Sequence, residues 1–396
     1  MNPPQIVVVG GGYAGTMAAN RLTRRDDVDI TLINPRTTFV ERIRLHQFTT
    51  RSHPAIRPYA DVLAGRVRFL TDTVDRIDAA QRQVHLTSGA RAGYDYLIYA
   101  TGSTGTTVDV PGAAKFAHSI ATLEQAQRLR SALESVPPAG AVTVVGAGPT
   151  GIETAAELAE AGFSLTLVSG EQLGPYLHPR ARRSVANRLA GLGVRVLSGA
   201  DHAVTAVHDD GVHLADGSAI SSEVTIWTGG FEAPRLAARS ALRTDSLGRL
   251  LTDETLTSLD DERIIGAGDA AAPSGLPYRM SCQAAVQMGP LAAETVLARI
   301  AGTEPSPAGL GFFALCLSLG RKDGLLQVAR RDDTAAPVHI AGRAGAALKE
   351  LICKSTITQL RSEARRPGLL SAPGWAKDGK RRRWVQAAAG HDAAHR

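Results

Sequence analysis

The stretch IVVVGGGYAG at residues 6–15 decides how the rest of the chain is read. Four apolar residues run into Gly10-x-Gly12-x-x-Gly15. The next ten, TMAANRLTRR, have helical spacing, and VDITLIN at 28–34 reads as a second strand. That strand–turn–helix–strand context is what gives the glycine spacing its meaning. Gly10 permits the tight turn, Gly12 lets the backbone approach a pyrophosphate, and Gly15 lets the helix pack close to the strand. Free N–H groups at the helix start then face the anion.

The unit repeats. AVTVVGAGPTGIETAAELAEAGFSLTLVSG at 141–170 carries Gly146, Gly148 and Gly151, with Pro149 and Thr150 inside the turn. Two such units imply two dinucleotides bound by one chain. Both depart from the usual pattern at one place. The second strand of such a site commonly ends in an acid that binds ribose hydroxyls. Here Asn34 and Ser169 stand there, with Glu171 two positions beyond Ser169. An asparagine amide still bonds a hydroxyl. No arginine sits beside Ser169 to hold a 2′-phosphate, so NADH is expected ahead of NADPH.

Three further segments follow the same logic. YDYLIYATGS at 94–103 closes on Ala100-Thr101-Gly102, and EVTIWTGGFEAP at 223–234 is its counterpart, with Gly229. DERIIGAGDAAA at 261–272 ends a strand in Gly268-Asp269. A carboxylate at that strand end can accept bonds from sugar hydroxyls; the alternative for Asp269 is a helix N-cap.

In this order the five motifs resemble the FAD- and NAD(P)H-dependent pyridine nucleotide–disulfide reductase superfamily, over roughly residues 5–300. The resemblance implies an α/β protein of two Rossmann-like dinucleotide-binding domains. The NAD(P)H domain, 116–239, is inserted in an FAD domain made of 1–115 and 240–305. It also implies that Gly10, Gly12, Tyr13, Ala14 and Gly15 cradle the FAD pyrophosphate and that Asn34 takes the adenosine ribose. Ala100, Thr101 and Gly102 line the flavin side, and Gly268 and Asp269 hold the ribityl or pyrophosphate region. Gly146, Gly148, Pro149, Thr150, Gly151, Ser169 and Gly229 form the NADH or NADPH site.

Disulfide reductases of the superfamily carry two closely spaced cysteines just after the first unit. The matching region here, RTTFVERIRLHQFTTRSHP at 36–54, has none, and Cys282, Cys316 and Cys353 are far apart in sequence. A redox dithiol is therefore not expected, and the chemistry requires neither a nucleophile nor a metal. YRMSCQAAVQMG at 278–289 instead resembles the Ala-Gln-x-x-x-Gln-x-Gly of type II NADH:quinone oxidoreductases, with Cys282 replacing the first Ala. Gln283 and Gln287, four apart, share one helix face. Either they face the flavin and acceptor, or they satisfy buried backbone groups. Glu153, just inside the second helix, is either a proton relay to the acceptor or a first-turn acid favoured by the helix dipole. Cys282 reads as a packing residue.

The stretch RTTFVERIRLHQ at 36–47 departs from the aromatic-rich pattern of type II dehydrogenases, with Arg42, Arg44 and His46 in its place. Arg42 and Arg44 are expected on one side of this segment, as an FAD phosphate or acidic-substrate site or as a surface charge pair. Further on, SLGRKDGLLQ at 318–327 reads as a hairpin. AALKELICKSTITQLRSEARR at 346–366 reads as a helix with Lys354, Arg361 and Arg365 on one face. Residues 306–366 thus form a C-terminal α+β region. Residues 367–396 lack periodicity and are expected to have no regular structure.

The chain is 396 residues long, 44% hydrophobic and 21% charged, which suits a globular protein of two or three domains. Residues 341–396 hold 12 Lys/Arg against 4 Asp/Glu, or +8 of the total +6, so the first 340 sum to −2. This basic end, with KRRRW at 380–384, is read as a solvated tail or as attraction to anionic lipid or an acidic partner. No recognition motif points to nucleic acid. No apolar run approaches ~18 residues, and no signal peptide is evident. The expected location is cytoplasmic, or peripheral on the cytoplasmic membrane face, with a homodimer as the assembly considered.

The reading that results is a flavoprotein passing hydride from NAD(P)H to FAD and electrons on to a quinone or similar small acceptor. Three rivals stay open at this point: a ferredoxin- or rubredoxin-type reductase, a flavoenzyme acting on one organic metabolite, and a non-enzymatic flavin and nucleotide sensor.

Overall fold

The computed structural model describes residues 3–106, 109–369 and 377–394. Strand β1 (Gln5–Val9), helix α1 (Tyr13–Leu22) and strand β2 (Asp29–Asn34) form the unit around the first glycine turn. A short helix α2 (Leu45–Thr49) follows, then strands β3 (Arg68–Thr71) and β4 (Tyr96–Tyr99). The second unit comprises β5 (Ala117–Ser119), α3 (Leu123–Glu134), β6 (Ala141–Val145), α4 (Pro149–Glu160), β7 (Ser164–Val168), β8 (Arg195–Leu197) and β9 (Val224–Trp227). The chain then returns to the first sheet as β10 (Ile264–Gly266) and enters α5 (Cys282–Ile300).

The two sheets have the same plan. The first runs β10-β4-β1-β2-β3 and the second β5-β9-β6-β7-β8, each of five parallel strands. Parallel strands covered on both faces read as apolar runs without alternation. In β1, Ile6 and Val8 join one core cluster and Val7 and Val9 another. Each half also carries a three-stranded antiparallel meander, one ending at Arg91–Gly93 and the other at Ala219–Ser221.

The C-terminal region packs a three-stranded antiparallel sheet, β11 (Ala314–Ser318), β12 (Gly324–Ala329) and β13 (Ala335–Ala341), against helix α6 (Gly342–Arg365). Strands β11 and β12 pair through the turn read from residues 318–327. Helix α1 is buried along its whole length between the first sheet, α5 and α6. A Cβ on Gly289 of α5 would come within 2.2 Å of the Ala14 carbonyl oxygen, so only glycine allows this approach. Arg21 of α1 pairs with Glu363 of α6, both buried, and with Glu294 of α5 at 2.8 Å.

The C-terminal tail differs from its expectation. Arg381–Ala394 forms helix α7. Its first residue is fastened: Arg381 bonds Glu254 at 2.9 Å, the Leu276 carbonyl at 2.7 Å and the Pro273 carbonyl at 3.0 Å, and stacks on Tyr278. Polar anchoring of this kind leaves no apolar periodicity to read. Residues 370–376 and 395–396 of the expected tail lie outside the described residues.

Candidate functional site

One cavity of about 2250 Å³ runs past both glycine turns to the C-terminal sheet. At the first turn, Gly10 has φ +103°, and a Cβ there would lie 2.3 Å from the Ala100 carbonyl oxygen. A Cβ on Gly15 would lie 1.8 Å from the Gly10 carbonyl oxygen. A Cβ on Gly12 would meet nothing, so its face opens onto the cavity. The second turn repeats this. Gly146 has φ +102°, a Cβ on Gly151 would lie 1.8 Å from the Gly146 carbonyl oxygen, and Gly148 faces open space. Two backbone cradles of this shape suit two pyrophosphates, so the residues present fit FAD and a nicotinamide dinucleotide. Gly15 and Gly151 lie under the turns as packing positions and do not line the cavity, whereas Tyr13, Ala14, Pro149, Thr150 and Gly229 do.

The ends of the second strands are more committed than their sequence suggests. Asn34 Oδ1 accepts from the Gly11 N–H at 3.0 Å, and Nδ2 donates to the Arg36 carbonyl at 2.8 Å. Tyr59, absent from the sequence reading, donates to the Gly11 carbonyl at 2.7 Å. Asn34 therefore shapes the glycine turn while lining the cavity. Ser169 does not line it. Its hydroxyl lies 2.9 Å from the Leu197 carbonyl and 2.6 Å from Ser198 Oγ.

Asp269 ties three segments together. It accepts from Ser103 Oγ at 2.7 Å and from the Ser281 N–H at 3.0 Å, and Arg42 lies 3.6 Å away. Ser281 in turn caps α5 through the Ala284 N–H. Gly268, Ala100, Thr101 and Gly102 line the cavity beside this cluster. Arg42 and Arg44 do not share a side. Residues Arg42–Arg44 form a 3₁₀ turn, in which positions two apart diverge. Arg42 faces the cavity, bonding Ser103 at 3.0 Å and stacking on Phe231. Arg44 is 2% exposed and pairs with Glu350 at 3.0 Å and Glu41 at 3.3 Å. It is a structural cation.

At the far end Gln283 and Gln287 line the cavity, but their amides bond backbone. Gln287 Nε2 donates to the Gln283 carbonyl at 2.9 Å and the Gly311 carbonyl at 3.3 Å. Oriented to satisfy both its ends, the Gln283 amide donates to the Ala314 carbonyl at 3.0 Å and accepts from the Phe313 N–H at 3.1 Å. The pair stitches α5 to the start of the C-terminal sheet, the backbone-satisfying arrangement of the two expected from sequence.

Glu153 sits beside them in a buried charged cluster. Its Oε1 lies 2.8 Å from Lys349 Nζ of α6 and accepts from the Ser318 N–H at 2.9 Å. Its Oε2 lies 3.8 Å from His46 Nδ1 of α2. Burial works against both charges of the ion pair, but the Lys349 ammonium, helped by the Ser318 N–H, outweighs it for Glu153, whose pKa falls. Glu153 likewise holds the Lys349 ammonium above its ordinary value. Burial drives His46 down to about 4, only partly offset by Glu153. The expected proton relay is thus an ionised carboxylate at rest. Lys349 was invisible in sequence, lying on the helix read only for Lys354, Arg361 and Arg365 on one face.

The three cysteines, far apart in the chain, all line this same cavity as free thiols, with Lys349 as a common neighbour. Burial pushes Cys282 and Cys316 up to about 11. They stay protonated, which suppresses nucleophilic thiol chemistry.

Residues 4–289 match the family model for pyridine nucleotide-disulphide oxidoreductases. An NADH dehydrogenase-like protein of Mycobacterium tuberculosis is 31% identical over 316 residues, covering 72% of this chain and 78% of that protein. The type II NADH:quinone oxidoreductase Ndh of the same organism is 29% identical over 352 residues, covering 77% and 75%. The structure of NDH2 from Plasmodium falciparum in complex with NADH superposes with a TM-score of 0.77 at 15% identity, covering 92% and 97%. That likeness bears on the fold.

Proposed function

The chain belongs to the pyridine nucleotide-disulphide oxidoreductase family, and from that premise we propose that it is an FAD-dependent NADH dehydrogenase whose electron acceptor is a quinone. One observation carries this reading. The cavity that touches both glycine turns ends at the buried Glu153–Lys349 pair under the C-terminal sheet. The relatives named as NADH dehydrogenase-like and as a type II NADH:quinone oxidoreductase support it.

FAD at the first cradle supplies a carrier that takes two electrons as hydride and returns them to a second substrate. The protein's work is positioning. The first turn, Asn34 and Tyr59 shape the FAD cradle, and Arg42, Ser103 and Asp269 form a polar wall beside it. The second turn offers its N–H groups to NADH. Glu153 and Lys349 present a charged, hydrogen-bonding end to the acceptor. A protein acceptor is disfavoured because this end lies inside the cavity, walled by α5, α6 and β11. Contact with an anionic membrane surface is part of the reading, supported by the exposed Trp384 beside Arg382 and Arg383 on α7. Among the described residues no helix is long and apolar enough to cross a membrane.

Steady-state oxidation of NADH and NADPH by the FAD-loaded protein, with menadione, a soluble ubiquinone analogue and ferricyanide, tests this. The expected outcome is quinone reduction well above oxygen consumption, with NADH preferred. A protein that does not retain FAD sinks the reading at its base. Rates that rise only with a ferredoxin favour the protein-carrier rival.

A further inference from the structure

Helices α2 and α4 face each other across two rungs of polar groups. Glu153 and Glu157 are four residues apart on α4; His46 and Thr50 are four apart on and just after α2. Groups at that spacing share a helix face. In the inner rung His46 Nδ1 lies 3.8 Å from Glu153 Oε2, and both residues line the cavity. In the outer rung Thr50 Oγ1 donates to Glu157 Oε1 at 3.1 Å, and the Ser52 hydroxyl bonds the same oxygen. Ser52 is exposed, while His46 and Glu157 are only 5% and 2% exposed. Each of these buried residues holds one polar atom that no protein group satisfies, His46 Nε2 and Glu157 Oε2. Buried polar atoms without partners are uncommon. Here two occur on neighbouring rungs of one seam.

We propose that this seam is the proton-entry path of the enzyme, leading from solvent at Ser52 through Glu157 and His46 to Glu153 at the acceptor. The inference rests on the quinone reading above. Reducing a quinone to its hydroquinone takes two electrons and two protons. NADH supplies the electrons and one proton as hydride, and the second proton comes from solvent. In the path the Glu157 O–H breaks as His46 Nε2 gains a proton, and the Nδ1 proton passes to Glu153. Glu153 then releases it to the quinone oxygen, and solvent reprotonates Glu157 through Ser52. Positions on one helix face repeat every turn, about 5.4 Å, a spacing at which a bridging water joins neighbouring rungs. The 3.8 Å between His46 Nδ1 and Glu153 Oε2 closes to a charge-assisted hydrogen bond when His46 is protonated.

At rest the proton sits at the outer station, and the negative charge that develops on the reduced acceptor draws it inward. Burial, partly offset by Ser52, raises Glu157, which favours the protonated form. His46 is neutral and Glu153 ionised, so both inner stations are vacant at rest and carry the proton only in passing, as charge develops on the acceptor. The charged groups facing His46 are Glu153, Lys349, Arg321 and Arg44; those facing Glu157 are Arg321 and Glu160.

Glu157→Gln in the full-length, FAD-loaded protein tests the path, with menadione as a proton-consuming acceptor and ferricyanide as an electron-only one. The expected result is at least a roughly tenfold lower kcat with menadione, a changed pH profile, and a ferricyanide rate within about twofold of wild type. Ser52→Ala, which removes only the outermost hydroxyl, should lower the menadione rate about threefold and leave the fold intact. An unchanged menadione rate overturns the proposal, and so does an equal loss with both acceptors. A wild-type protein that reduces ferricyanide but no quinone instead defeats the quinone reading. The path is then judged by infrared spectra of the FAD-loaded protein. A protonated-carboxyl band near neutral pH that disappears in Glu157→Gln supports it, and absence of that band from wild type overturns it.

Discussion

The two nucleotide units share a sheet plan and a glycine turn, yet the helices that follow the turns have different tasks. Helix α1 is buried along its length and meets the cavity at its first turn through Tyr13 and Ala14, while Asn20 and Arg21 further along bond neighbouring helices and loops. Asn20 Nδ2 donates to the Val62 carbonyl at 2.8 Å, and Arg21 meets Glu363 and Glu294. Helix α4 instead directs Glu153 into the cavity and Glu157 into the seam with α2. The glycines make a site for a phosphate. What the next helix carries determines which side chains reach the cavity beside that site.

The largest effects should separate the two turns. Gly15→Ala and Gly151→Ala introduce the same 1.8 Å clash. Gly15→Ala should weaken FAD binding at least about 100-fold, seen as loss of flavin absorbance on gel filtration. Gly151→Ala should leave FAD bound and raise KM for NADH at least about tenfold. If Gly151→Ala also expels FAD, the units are not independent and the comparison breaks.

Next is the charge that α4 carries and α1 does not expose. Lys349→Met strands the Glu153 carboxylate and should lower stability by about 3–5 kcal/mol in urea unfolding. Adding Glu153→Gln to that background should restore part of the loss. Full additivity of the two substitutions would show that the pair is not coupled.

The pH dependence sharpens the comparison further. Burial lowers His46 from its usual 6.5 to about 4. The unfolded chain therefore binds the proton more readily between those values. The stability this contributes is fully present above the unfolded value and is lost as pH falls through about 4, worth roughly 3 kcal/mol. His46→Asn should flatten the acid side of the stability curve. Glu157 is raised, so its contribution has the opposite sign and fades as pH rises through its folded value. A Glu157→Gln protein with an unaltered alkaline side argues against a protonated Glu157. The smallest effect concerns the second strand ends. Ser169→Asp supplies the usual ribose-binding acid and should raise the NADH-over-NADPH ratio of kcat/KM about fivefold. An unchanged ratio would place nucleotide selection elsewhere.

Local chemistry was legible in the sequence, and long-range chemistry was not. Gly10, Gly15, Gly146 and Gly151 could be read because a tight turn and a close helix approach leave a spacing behind. The order of the segments at 94–103, 223–234 and 261–272 carried the insertion of one unit in the other. Hidden from it were contacts between residues distant in the chain. Lys349 reaches Glu153 across almost half the sequence, and three scattered cysteines converge on one cavity. Asn34 and Ser169 were placed correctly at strand ends, but their partners, Gly11, Leu197 and Ser198, emerge only with the turn geometry. Arg44 was misjudged because a 3₁₀ turn changes direction faster than a strand. Helix α7 was missed because polar anchors, not apolar periodicity, hold its start.

The strand order of the first sheet bears on how the chain is made. Strand β10, at Ile264–Gly266, is the edge that completes that sheet, and it follows the whole second unit. The second sheet draws all its strands from residues 117–227 and so can close while the first still lacks an edge. At ordinary ribosome speeds of about 5–20 residues per second, the four N-terminal strands wait roughly 8–33 s for the fifth. The nucleotide unit that comes second in the sequence is the one able to mature first, and the FAD cradle is completed afterwards around it.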